Sequence, residues 1–177
     1  MCSSDPGRLR PTVTPIEPKN DQEALALRFA AAMGQNPQDM YDLMAESFVR
    51  YGEETLWQPL SKKAYIGMSD NFLAPFPDMR WQVLDCVSDG PRVVLQVVET
   101  GTFTQPWILG DRTFQPNGKG YSMRGAVFMT IESAQIQQYT YIHAAGDFAS
   151  AYAELFEAEE FASSYLDFLL TLEGTAG

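Results

Sequence analysis

Basic side chains are scarce in this sequence: 12 Lys and Arg stand against 23 Asp and Glu, a formal net charge of -11 over 177 residues. Binding a phosphate backbone needs clustered Lys and Arg to release counterions, so nucleic acid is not an expected partner. An anionic membrane surface is disfavoured for the same reason. There is one His and there are two Cys, Cys2 and Cys86. These give neither a transition-metal site nor a disulfide framework, so no metal and no cofactor are expected, and a reducing compartment is. No apolar run approaches the roughly 20 residues that a bilayer requires. Met1-Cys2-Ser3-Ser4-Asp5 lacks the basic and apolar regions of a leader, which points to a cytoplasmic location.

Apolar surface, in contrast, is plentiful. Hydrophobic residues make up 45% of the chain and aromatics 12%, enough to build one core and too much for a disordered chain. Residues 1–20 carry Pro6, Pro11, Pro15 and Pro18 and read as a flexible, extended arm. Residues 21–177 read as a single domain.

Within it, Asn20 or Asp21 caps a first helix that Gly34 stops. Pro37 opens a second helix, in which Met40, Leu43, Met44 and Phe48 recur at helical spacing. Ser61 caps a third, running to about Phe72. The period then changes to that of strands: Arg80 to Val87, Arg92 to Thr104, Tyr121 to Ile131 and Gln135 to Ile142. Residues 105–120, rich in Gly and Pro, read as a long loop or open hairpin. A closing helical stretch spans about Ala144 to Leu172, with Phe148, Tyr152, Leu155, Phe156, Phe161, Tyr165, Phe168 and Leu169 as an apolar stripe. That stripe over 147–172 needs a partner, either the chain's own body as a lid or a second subunit. Helices followed by consecutive antiparallel strands mean α+β, with a curved meander expected to enclose an apolar cavity.

Four stretches, in this order, resemble a known family: Phe76-Pro77-Asp78-Met79-Arg80-Trp81-Gln82-Val83, Thr100-Gly101-Thr102-Phe103-Thr104, Arg124-Gly125-Ala126 before Phe128, and Ile136 to Gly146 with Tyr139, Tyr141 and Ala144-Ala145-Gly146. The chain is similar over about residues 22–156 to the SnoaL-like polyketide cyclases of the nuclear-transport-factor-2-like superfamily. The resemblance implies a cone-shaped α+β barrel, its curved antiparallel sheet wrapped around the N-terminal helices, here with an extended C-terminal helix. It also implies that Thr140 and His143 stand where the cyclases carry two Asp residues, and that Phe103 replaces a common His. A Thr hydroxyl is far too weak an acid or base near neutral pH to replace a carboxylate, so the usual cyclase mechanism does not carry over.

Three residues remain as candidates for catalysis. Glu99 shares strand parity with Val93, Leu95, Val97 and Phe103, and desolvation there would raise its basicity. His143 is the one side chain of a type whose ordinary pKa lies near neutrality, but parity puts it with Tyr139 and Tyr141, opposite Ile136, Gln138, Thr140 and Ile142, and a capping or packing role also fits it. Asp85 follows Trp81 and Val83 at strand spacing. Tyr51, Trp57, Trp81, Phe103, Tyr139, Thr140 and Tyr141 are candidate substrate contacts, with Tyr121 as a further aromatic. Arg124 either holds a developing oxyanion or pairs with Glu99 across the sheet. The expected function is a cofactor-free cyclisation, isomerisation or dehydration of a hydrophobic, carbonyl-bearing small molecule, polyketide- or terpenoid-like, by a homodimer. The alternative is a ligand-binding or dimeric assembly module of the same fold without catalysis.

Overall fold

A computed structural model describes residues 15–144 and 158–172. Helix α1 spans Asp21–Ala32, α2 Pro37–Asp42 and α3 Lys62–Leu73. The strands are β1 (Met44–Gly52), β2 (Leu60–Ser61), β3 (Arg80–Asp89), β4 (Arg92–Thr102), β5 (Trp107–Leu109), β6 (Arg112–Phe114), β7 (Gly120–Glu132) and β8 (Gln135–His143). Helix α4 covers Ala158–Thr171. The proline-rich arm up to residue 14, Cys2 and the first half of the expected C-terminal extension lie outside the described residues.

Local chemistry fixes the helix starts. The Asn20 side chain accepts the Glu23 N–H at 2.9 Å, and Glu23 in turn accepts the Lys19 N–H at 2.8 Å. Glu23 also accepts from Ser88 at 2.8 Å, tying the start of α1 to the end of β3. The Lys19 N–H and then the Ser88 hydroxyl hold the Glu23 carboxyl below its ordinary range. Ser61 caps α3 by accepting the Ala64 N–H. The Tyr41 hydroxyl donates to Asp70 at 2.7 Å and so links α2 to α3.

The α+β class holds, but the cone-shaped barrel and the wholly antiparallel curved sheet do not. The six-stranded sheet is open and mixed, in the order β2-β1-β8-β7-β4-β3, with β1 parallel to β8 and no strong curl. Closure would need β2 to pair with β3, and a two-residue β2 offers no ladder for that. Strand β1 itself arises where the sequence reads as helix. Met40, Leu43, Met44 and Phe48 keep helical spacing, yet the helix ends at Asp42. Beyond it, the period-2 burial of Phe48, Arg50 and Gly52 governs. Residues 105–120 contain the β5–β6 hairpin, which Asn71 of α3 holds by accepting the Trp107 indole N–H at 2.7 Å and donating to the Ile108 carbonyl at 2.8 Å.

The core lies between one face of the sheet and the helices, with α1 on β3 and β4 and α3 on β1, β2 and β5. Phe76 is the aromatic hub of one end, with Phe72, Phe103, Trp107 and Tyr121 ring centroids 5.2–5.6 Å away. Cys86 is buried on β3 opposite Leu95 of β4, and burial pushes its thiol up to about 11, so it packs rather than reacts at neutral pH.

Two of the four stretches quoted above meet at one clamp. The Asp78 carboxylate accepts the Thr102 N–H and the Thr102 hydroxyl, both at 2.7 Å, fastening the entry of β3 to the end of β4. Partial burial alone would raise the Asp78 carboxyl, but the two Thr102 donors outweigh it and hold the group below its ordinary 3.8. A depressed carboxylate adds stability that is complete above the unfolded value and is lost as pH falls through the folded one. Asp78→Asn is therefore expected to lower the melting temperature at neutral pH, and the gap to the parent should close in melts recorded below pH 3.8.

Candidate functional site

A cavity of about 60 Å³ sits between the inner face of the sheet and the helices. Strand alternation decides its walls. On β8 the inward positions are Tyr139, Tyr141 and His143, and all three line it. Trp81 of β3, Glu99 of β4, Met123 of β7 and Arg50 of β1 complete the sheet side. Tyr65, Met68, Ser69 and Phe72 of α3 form the opposite wall, with Tyr165 of α4 at its margin. Tyr165 packs on Trp107, with ring centroids 6.0 Å apart, so α4 meets the site through its own chain's β5.

Glu99 is the buried acid of this cavity, only 3% exposed. The Trp81 indole N–H donates to its Oε2 and the Tyr121 hydroxyl to its Oε1, both at 2.8 Å. These donors replace the water that burial removes from a carboxylate. Two glycines make room for the surrounding rings. A Cβ on Gly101 would stand 2.9 Å from the Tyr121 ring, and one on Gly125 would meet the Tyr141 ring and stand 2.9 Å from the Ile142 carbonyl oxygen. His143 lies half-buried against Tyr141, their ring centroids 4.0 Å apart.

The remaining candidates stand elsewhere. Asp85 is exposed because a bulge between Val83 and Asp85 shifts the strand's parity, and its carboxylate accepts the adjoining Cys86 N–H at 2.8 Å. Arg124 is exposed on the outer face, in register with Val98 rather than Glu99, so the two do not meet across the sheet. Thr140 and Tyr51 are paired neighbours on that same outer face. Trp57 is 49% exposed, in the turn after Glu53–Thr55. Phe103 is buried against Phe76 and does not line the cavity.

Sequence reasoning missed Arg50, Tyr65, Met68 and Ser69. The signal for Arg50 was its place two residues from Phe48 and Gly52, visible only once residues 44–52 are read as a strand. Among the described residues, no three His, Cys, Asp or Glu side chains converge where a metal ion could sit.

The model of the SnoaL-like polyketide cyclases matches residues 24–155. The chain belongs to that family. Three solved structures are similar in fold. AclR, a candidate hydroxylase from Streptomyces galilaeus, is 19% identical with a TM-score of 0.65, over 77% of this chain and 98% of its own. IdmH, a candidate polyketide cyclase from Streptomyces antibioticus, is 18% identical with a TM-score of 0.63, over 75% and 98%. A candidate ketosteroid isomerase from Kribbella flavida is 18% identical with a TM-score of 0.51, over 70% and 77%. No curated protein matches the sequence. Thr140, which the resemblance set at the place of the first Asp, is turned away from the cavity, while Tyr139, Tyr141 and His143 of β8 face it. No helix among the described residues is long and apolar enough to cross a membrane.

Proposed function

We propose that this protein is an enzyme acting on a hydrophobic, carbonyl-bearing metabolite of polyketide or terpenoid kind, and that it moves a proton without a cofactor. The observation that carries this reading is Glu99: a carboxylate 3% exposed, its two oxygens oriented by Trp81 and Tyr121, in a cavity walled mainly by aromatics and methionines.

In the proposed step, Glu99 removes a proton from the carbon beside the carbonyl, and the electron pair moves onto the carbonyl oxygen. A donor of β8, Tyr141 or His143, meets the enolate. Where the enolate is conjugated with a carbon–carbon double bond, return of the proton from Glu99 to the far carbon completes an isomerisation; alternatively the enolate carbon attacks a second carbonyl and closes a ring, and the alkoxide so formed takes the proton from Glu99. The test is solvent-deuterium exchange, followed by NMR, into β-tetralone and into 4-phenyl-2-oxobutanoate, a neutral and an acidic ketone. The folded protein is expected to exchange the acidic carbon position of at least one of them faster than buffer does, and failure with both sinks the proposal.

One observation favours a second reading. The cavity of about 60 Å³ is small beside the roughly 300–1,000 Å³ of common ligand sites, which fits a binding or assembly module. Such a module would bind one of these ketones without exchanging it. In both readings we propose a cytoplasmic homodimer. The free, buried Cys86 supports a reducing setting. Val87, Val94 and Phe128 lie side by side across the outer face, Val87 and Phe128 being 50% and 44% exposed, which supports an apolar contact between copies. Light scattering should show a dimer that Phe128→Asp converts to monomer; a monomeric parent overturns this part.

A further inference from the structure

Arg50 is the one basic side chain fully buried among the described residues, 1% exposed in a chain of net charge -11. A guanidinium keeps its charge at any physiological pH, so the fold holds a permanent cation inside its core. Removing such an ion from water costs several kcal/mol unless other groups receive it. Two phenol rings contribute: the guanidinium carbon lies 5.7 Å from the Tyr65 centroid and 5.6 Å from the Tyr139 centroid, within reach of a cation–π attraction. Tyr139 is also its register partner on β8, so the strand pairing itself fixes the cation in place.

Position turns this cation into a recognition element. Arg50 lines the same cavity as Glu99, with Ser69, Tyr141 and His143 among the other polar groups of the wall. A ligand in that space meets a fixed positive charge and a carboxylate among apolar walls. The planar fork of Arg matches a carboxylate oxygen pair better than any other side chain does.

We propose that Arg50 anchors an anionic group of the ligand, so that the cavity takes small hydrophobic carboxylic acids rather than their neutral counterparts. This rests on reading the cavity as a ligand site and deepens it: Arg50 selects the acid, and Glu99 faces the carbon to be deprotonated. For the reaction above, the substrate is then an oxo acid, bound through its carboxylate.

The experiment compares hydrocinnamate with hydrocinnamide, near-isosteric probes that differ in charge, by calorimetric titration of the full chain. The parent is expected to bind the acid at least tenfold more tightly than the amide. Arg50→Met keeps much of the apolar stem, and with it the ratio should fall to about one, whereas Arg50→Lys should retain part of it. Glu99→Gln should leave the preference in place or increase it, which separates this proposal from the proton-transfer reading that fails on exchange kinetics. Equal binding of the two probes by the parent, no binding of either, or an acid preference that survives Arg50→Met overturns the proposal. If Arg50→Met does not fold, the parent's ratio and that of Arg50→Lys decide.

Discussion

Glu99→Gln is expected to lower the rate of carbon-proton exchange at least about 100-fold, the low end of what a positioned general base contributes. The substitution is close to isosteric, and the amide oxygen can still accept from one of the two donors. What disappears is the basic oxygen pair, with little change in shape. Glu99→Leu is a harsher change, because it leaves the Trp81 N–H and the Tyr121 hydroxyl buried without their acceptor. Each such loss costs about 1–3 kcal/mol, so this variant should lose stability as well as rate. The two variants together separate chemistry from scaffolding. Exchange kinetics and a melting curve on each are sufficient, and an undiminished rate in a folded Glu99→Gln protein would remove Glu99 from the mechanism.

Phe76→Ala is expected to be among the most destabilising single changes in the protein. Truncating a buried Phe costs about 3–5 kcal/mol, which in a chain of this size lowers the melting temperature by roughly 6–20 °C. The ring is 1% exposed and touches four other aromatic rings, so little can collapse into the space it leaves. One of those rings is Tyr121, which donates to Glu99. The variant should therefore show a slower rate even below its melting point, because the base loses an orienting partner. Phe76→Leu, which keeps more of the volume, should recover part of both losses. Calorimetry measures the first effect and exchange kinetics the second; a melting temperature within a few degrees of the parent would show that Phe76 is not the hub its contacts make it.

Much of the fold was legible in local chemistry. Asn20 and Ser61 announce their helices as caps, and the β-branched run from Arg92 announces β4. Parity put Glu99 on the same face as Val93, Leu95 and Val97, and it grouped His143 with Tyr139 and Tyr141, since no bulge interrupts either stretch; that the β8 group faces the cavity was not legible. Asp85 was misplaced for the opposite reason, because the bulge after Val83 turns the strand over and leaves no mark in composition. Arg50 escaped because Met40 to Phe48 keeps helical spacing across the end of α2, so the alternation that buries it was hidden.

The sequence by itself determined the α+β class, the strand meander, the resemblance to the SnoaL-like family and the acid at position 99. Periodicity, caps and turn residues are local properties, and local properties can be read in one dimension. Only the tertiary structure decided that the sheet is open and mixed, since β1 pairs with β8 across more than 80 residues of chain. That pairing places Arg50 beside Tyr139 and turns a strand charge into a buried cation facing the cavity. A charge that the sequence counts among 12 basic residues becomes a binding element through a contact that no local pattern encodes.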